Sequence, residues 1–146
     1  MMERMQKELG LKLEEVSLFA ADVGPGSFTG VRVGITLAKT FGFVYGRQVV
    51  GADAFDLVDP SHPVAIPSKR GECFLRVPGH EPVRQTEVPQ VIGYGPGLSE
   101  QQFPSAACFA PLWQLLQPTS AAEFMPNYLI QPSISTPKKA YRQLQP

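Results

Sequence analysis

The chain has 146 residues, 43% of them hydrophobic and 18% charged, with a formal net charge of zero. That length and apolar content suit one domain with a core of its own. The charge balance argues against a protein that grips nucleic acid by bulk electrostatics, and no apolar run approaches the ~20 residues of a membrane span.

Residues 1–9 (MMERMQKEL) have a helical pattern, with Met2, Met5 and Leu9 on one stripe and Glu3, Arg4, Lys7 and Glu8 on the other side. Gly10 is the expected C-cap. No charged n-region followed by an apolar run marks a secretory signal. Residues 15–23 (EVSLFAADV) are a largely apolar run of strand length, the pattern of a buried, parallel strand. A turn over residues 24–28 follows, with Thr29 as the expected N-cap of a helix over residues 30–45. A short strand is expected at 48–51 and a short helix at 53–58, stopped by Pro60.

Fifteen Pro and thirteen Gly are many for this length, and the prolines concentrate after Asp59. The second half therefore reads as short strands separated by turns. Strands at 64–66 and 73–77 are joined as a hairpin through Ser68, Lys69, Arg70, Gly71 and Glu72. Residues 90–93 form a further strand entering a second glycine-rich turn, and residues 111–117 a short helix carrying Trp113. Cys73 and Cys108 stand alone outside any CxxC pattern and read as reduced core thiols of a cytoplasmic protein. From residue 131 onward periodicity is lost. The domain is expected to span 1–130, with a disordered tail over 131–146. Lys138, Lys139 and Arg142 there read as solvated charges.

The helix after the turn carries the strongest physical signal. Gly30, Gly34, Ala38, Gly42 and Gly46 recur every four residues, and glycine costs ~1 kcal/mol against alanine in a helix interior, so a packing reason is expected. Close approach to the protein's own sheet supplies one. A second stripe, Val33, Leu37, Thr40 and Val44, has the spacing of a helix-bundle seam. Together with Met2, Met5 and Leu9 it suggests a bundle completed by another chain, the alternative being that the first helix covers the second within one molecule.

Gly24, Gly26, Ser27, Thr29 and Arg32 could form an anion-binding turn, because free N–H groups and a helix dipole converge there. Without a Gly-Lys-Ser/Thr or G-x-G-x-x-G spacing, a purely structural turn is the favoured reading. His62 and His80 sit singly in Pro-rich loops, and Asp53, Asp56 and Asp59 read as a polar helix face. No catalytic constellation and no metal site is indicated.

The run from Ala21 to Gly34 (ADVGPGSFTGVRVG) resembles the signature of the TsaB (YeaZ-type) family, bacterial subunits that support tRNA N6-threonylcarbamoyladenosine synthesis. The likeness extends through Leu37, Ala38 and Lys39, Val50, Gly51 and Ala52, the hairpin residues Arg70, Gly71 and Glu72, Val91 to Gly95, and Pro126 to Leu129. Pro67 and Ile130 depart from the family pattern.

The resemblance implies an α/β, actin/Hsp70-like (RNase H-like) fold. Here it would be incomplete, lacking the first strands of the central sheet, as Met1 and Met2 align to the middle of the family's first helix. It also implies a non-catalytic dimerisation subunit, a degenerate relative of the catalytic subunit TsaD. Expected partners are TsaD in a heterodimer, the ATPase TsaE in the larger complex, and a second copy in a homodimer. Contact with tRNA would be indirect and no membrane would be involved. The chain would hold no cofactor of its own; ATP/ADP and metal would belong to the partner subunits. The alternative is a nucleotide- or phosphate-binding enzyme, or an M22 glycoprotease-like protein, using the turn from Gly24 to Thr29.

Overall fold

The computed structural model describes residues 2–69 and 71–129, so Arg70 and the expected tail lie outside the described residues. The first helix, α1 (Met2–Leu9), ends at Gly10, whose φ of 63° is a left-handed turn that glycine adopts freely. The strand that follows is shorter than its apolar run. Leu13–Glu15 is a 3-10 turn, and β1 is Leu18–Asp22. Glu15 accepts the Lys12 backbone N–H at 2.8 Å, closing a turn before the extended chain begins.

β1 pairs in parallel with β2 (Gln48–Ala52), from Leu18 opposite Gln48 to Asp22 opposite Ala52. The helix α2 (Phe28–Val44) makes the crossover. Its N-cap is Ser27, not Thr29, which already lies inside the helix. Ser27 Oγ accepts the Gly30 N–H at 3.3 Å. Val31, Ile35, Ala38 and Gly42 form the buried face and pack, with Phe124, on Ala21 of β1 and Val49 of β2.

The small-residue ridge divides. Gly42 approaches the sheet so closely that an added Cβ would lie 2.7 Å from Val49 Cγ1, whereas one on Gly34 would meet nothing within 4 Å. Gly46 has left the helix, with a φ of 61°. The expected packing on the protein's own sheet therefore holds at Ala38 and Gly42, and not at Gly30 and Gly34.

The rest of the chain builds a second sheet in the order β5-β4-β3-β6. Its strands are β3 (Val64–Pro67), β4 (Cys73–Arg76), β5 (Val83–Gln85) and β6 (Ile92–Gly93). The hairpin of β3 and β4 forms where the turn signal places it. β5 has no sequence signature, because Val83 and Arg84 are exposed and no alternation marks them. The helix α3 (Ala54–Val58) is capped by Asp53, which accepts the Asp56 N–H at 2.9 Å. It packs Phe55 and Val58 on Val64, Ile66 and Phe74.

The last helix, α4 (Phe109–Leu112), lies before the position expected for it and is shorter. A 3-10 turn (Ala106–Cys108) capped by Ser105 leads into it, and Trp113 falls at its end, 55% exposed. Leu112 is the residue it buries, against Leu57 and Ala52. Cys73 is buried and Cys108 half-buried, both as free thiols. Among the described residues no helix is long and apolar enough to cross a membrane.

Candidate functional site

Val33, Leu37, Thr40 and Val44 are all exposed, and Val33, Leu37 and Val44 reach 53%, 47% and 63%. At the helical repeat this stripe lies opposite the buried face of Val31, Ile35, Ala38 and Gly42. Burial of the same residues would supply ~25 cal/mol per Å² of apolar surface, so the stripe is stable in water only at a cost. A shallow groove lined by Phe28, Arg32, Val33, Thr36 and Leu37 continues it toward the start of α2.

The first helix does not cover this stripe. Among the described residues α1 makes no extensive contact with α2, and Leu9 at its end is 68% exposed. Met2 and Met5 lie on α1, with side chains outside the described residues.

One flank of α2 is held by the segment after α4. Thr119 exchanges backbone hydrogen bonds with Val49, closing the outer edge of β2. Lys39 Nζ then donates to the carbonyls of Ala122 and Phe124 at 3.2 and 3.0 Å. Asn127 donates its N–H to Val23 O at 2.7 Å, and Tyr128 stacks on Phe28. The strap thus runs from one end of the βαβ unit to the other and fixes α2 on the sheet.

The glycine-rich turn brings Gly24, Gly26, Ser27 and Thr29 together at the start of α2, yet its polar groups are engaged or opposed. Ser27 Oγ is committed to the helix cap, and the Arg32 guanidinium lies over the Phe28 ring, 5.1 Å from its centre. Asp22 Oδ1 accepts the Gly24 N–H at 2.7 Å. Burial pushes the Asp22 carboxyl up, the Gly24 N–H draws it back, and the neighbouring Asp53 pushes it up again. Burial and Asp22 likewise raise the Tyr94 hydroxyl. An anion at this turn would meet carboxylates.

The three aspartates are caps and ion-pair partners rather than a plain polar face. Asp53 caps α3, Asp56 pairs with Arg76 at 3.0 Å, and Asp59 accepts the N–H groups of Ser61 and His62. The His62 ring, largely exposed, lies 3.1 Å from Asp59 Oδ2. The His80 ring lies beside Pro78 O at 3.2 Å. Arg76 is the buried charge that sequence reasoning missed. Its only sequence signal is one basic residue in an apolar strand following the aspartates of α3. Among the described residues no group of three His, Cys, Asp or Glu side chains gathers as a set of metal ligands.

With this geometry in place, the chain can be set beside known proteins. Residues 1–57 match the family described as TsaD: tRNA N6-adenosine threonylcarbamoyltransferase. No curated protein matches the chain. A crystal structure of an uncharacterized Pseudomonas aeruginosa protein with similarity to peptidase YEAZ is similar in fold, at a TM-score of 0.72 and 18% identity, over 89% of this chain and 81% of that one. YeaZ from Pseudomonas aeruginosa is similar at a TM-score of 0.68 and 18% identity, over 88% of this chain and 81% of its own. The chain is thus a mixed α/β protein with the fold of the YeaZ-type structures, and its amino-terminal part, from α1 into α3, matches the TsaD family.

Proposed function

We propose that the chain is a non-catalytic assembly subunit that supports threonylcarbamoyl transfer to tRNA adenosine by associating with a TsaD-type catalytic subunit. The observation that carries this reading is the apolar stripe of Val33, Leu37 and Val44, exposed on the side of α2 that faces away from the sheet. A helix apolar on two opposite sides is one whose second side is covered in an assembly. The match of residues 1–57 to the TsaD family and the YeaZ fold support reading that assembly as one that modifies tRNA. In this reading TsaE joins the larger complex, a second copy can take the stripe when the catalytic subunit is absent, and nucleotide and metal belong to the partner subunits of a cytoplasmic enzyme.

The test is titration calorimetry of the chain against a TsaD-type subunit. Val33→Glu places a carboxylate in the middle of the stripe and should weaken association about a hundredfold, the loss expected at a buried interface position. Unchanged association of a folded Val33→Glu protein would overturn the reading. So would tight ATP binding by the chain alone that Gly26→Val abolishes.

A further inference from the structure

The groove on the outward side of α2 has two walls of different character. Phe28, Arg32 and Thr36 follow one another at intervals of four and make one ridge, and Thr29, Val33 and Leu37 make the other. The space between them is about 370 Å³. Val33 and Leu37 make the second wall apolar, while the first carries an exposed cation, Arg32, at its middle. Its guanidinium lies 5.1 Å from the centre of the Phe28 ring, and that ring stacks with Tyr128 at 5.7 Å. The aromatic pair thus keeps the planar fork beside the groove.

This cation has no acid within reach. α2 contains neither Asp nor Glu, and among the described residues Arg32 joins no ion pair. Met1, Arg70 and residues 130–146 add no Asp or Glu. The other cation of α2, Lys39, is engaged by the carbonyls of Ala122 and Phe124. Arg32 also has the unfavourable sign for its place. Its head group lies over a residue of the first helical turn, where the helix dipole is positive. In water this matters little. Under a partner that covers Val33 and Leu37 it matters a great deal, because a guanidinium covered without a carboxylate loses its solvent and gains no counter-charge.

We propose that Arg32 is the specificity-determining residue of this face: the partner segment seated in the groove is apolar opposite Val33 and Leu37 and carries a carboxylate that the guanidinium binds through two N–H groups. The inference rests on the assembly reading and adds to it the chemistry of the catalytic subunit's contact. It also ranks the occupants. A second copy set α2 against α2 supplies apolar surface but no carboxylate, so both guanidinium groups would be covered unpaired. Arg32 therefore favours the catalytic subunit over self-pairing.

The test is titration calorimetry of the chain against a TsaD-type subunit at low and high salt, with sedimentation equilibrium of the chain alone. Arg32→Met keeps the stem beside Phe28 and removes both the charge and the fork. It should weaken association with the catalytic subunit about tenfold or more and flatten its dependence on salt, with self-association unchanged or tighter. Arg32→Lys keeps the charge without the fork and should fall between parent and Arg32→Met. Val33→Glu separates this proposal from the reading beneath it. Association weakened by Val33→Glu but not by Arg32→Met would overturn the role of Arg32 and leave the assembly reading standing. Association that neither change weakens would overturn both. Self-association weakened by Arg32→Met would overturn the ranking, showing that a second copy supplies the acid.

Discussion

The guanidinium of Arg76 on β4 reaches back to the carboxylate of Asp56 on α3, Nη2 to Oδ1, at 3.0 Å. The same Nη2 donates to Asp59 O at 2.9 Å and Nη1 to Pro60 O at 3.4 Å, so one buried cation serves the end of α3 as well as its acid. The guanidinium also lies 5.7 Å from the centre of the Phe55 ring. Arg76 is 9% exposed, which leaves water little part in solvating it. The pair thus fastens α3 to the hairpin sheet.

Arg76→Met keeps most of the side-chain volume and removes every one of these donors. It should destabilise the chain by about 2–3 kcal/mol, since Asp56 is left unpaired at a partly dry position. Asp56→Asn should cost less, because Arg76 retains its carbonyl partners. Urea denaturation of both variants checks the order; equal costs would show that the carbonyls contribute nothing.

Gly34 and Gly42 of α2 should respond in opposite directions to one methyl group. At Gly42 an added Cβ lies 2.7 Å from Val49 Cγ1 and 3.0 Å from Arg47 O, inside contact distance of backbone as well as side chain. Gly42→Ala should therefore destabilise by about 1–3 kcal/mol through overpacking. At Gly34 the Cβ meets nothing within 4 Å, so Gly34→Ala should stabilise by about 0.5–1 kcal/mol through helix propensity. Denaturant midpoints of the two variants on either side of the parent are the expected result.

That contrast shows what the sequence made legible. Periodicity revealed the crossover helix, its outward stripe and its small ridge, because each is a repeat on one cylinder. It could not say which end of the ridge touches the sheet, since that depends on how β2 folds back to place Val49 and on where the distant Phe124 comes to lie. The cap was misplaced for a similar reason. Ser27 and Thr29 have the same capping chemistry, and only the backbone conformation decides between them. β5 and the Arg76 pair were invisible because their partners are brought together by the sheet, with no local pattern to mark them. The exposure of Val33 and Leu37 follows from the missing cover of α1, a tertiary fact that a heptad-like spacing cannot supply.

Lys39 offers a test of the strap. Its ammonium accounts for two hydrogen bonds to the carbonyls of Ala122 and Phe124, and Lys39→Met keeps the stem while removing both. The change should cost about 1–2 kcal/mol, typical of charge-assisted bonds at a partly exposed site. Hydrogen exchange should quicken between Thr119 and Asn127 and leave α3 unaffected. Uniform quickening over the whole chain would mean that the strap is not a separate unit.

Asp22 gives a prediction whose sign depends on pH. Its folded-state carboxyl is raised, by burial first and by Asp53 besides, with the Gly24 N–H opposing. A raised carboxyl binds its proton more tightly folded than unfolded, so the ionised form penalises the fold at neutral pH. The penalty fades as pH falls through the folded-state value toward the unfolded one. Asp22→Asn retains an oxygen for the Gly24 N–H and carries no charge. Its Tm should exceed the parent's at neutral pH, and the difference should shrink steadily into the acid range, where the parent carboxyl is protonated as well. An advantage that stayed constant across the titration would show that the side chain acts through packing, and one that grew on acidification would mean that the Gly24 hydrogen bond outweighs both burial and Asp53.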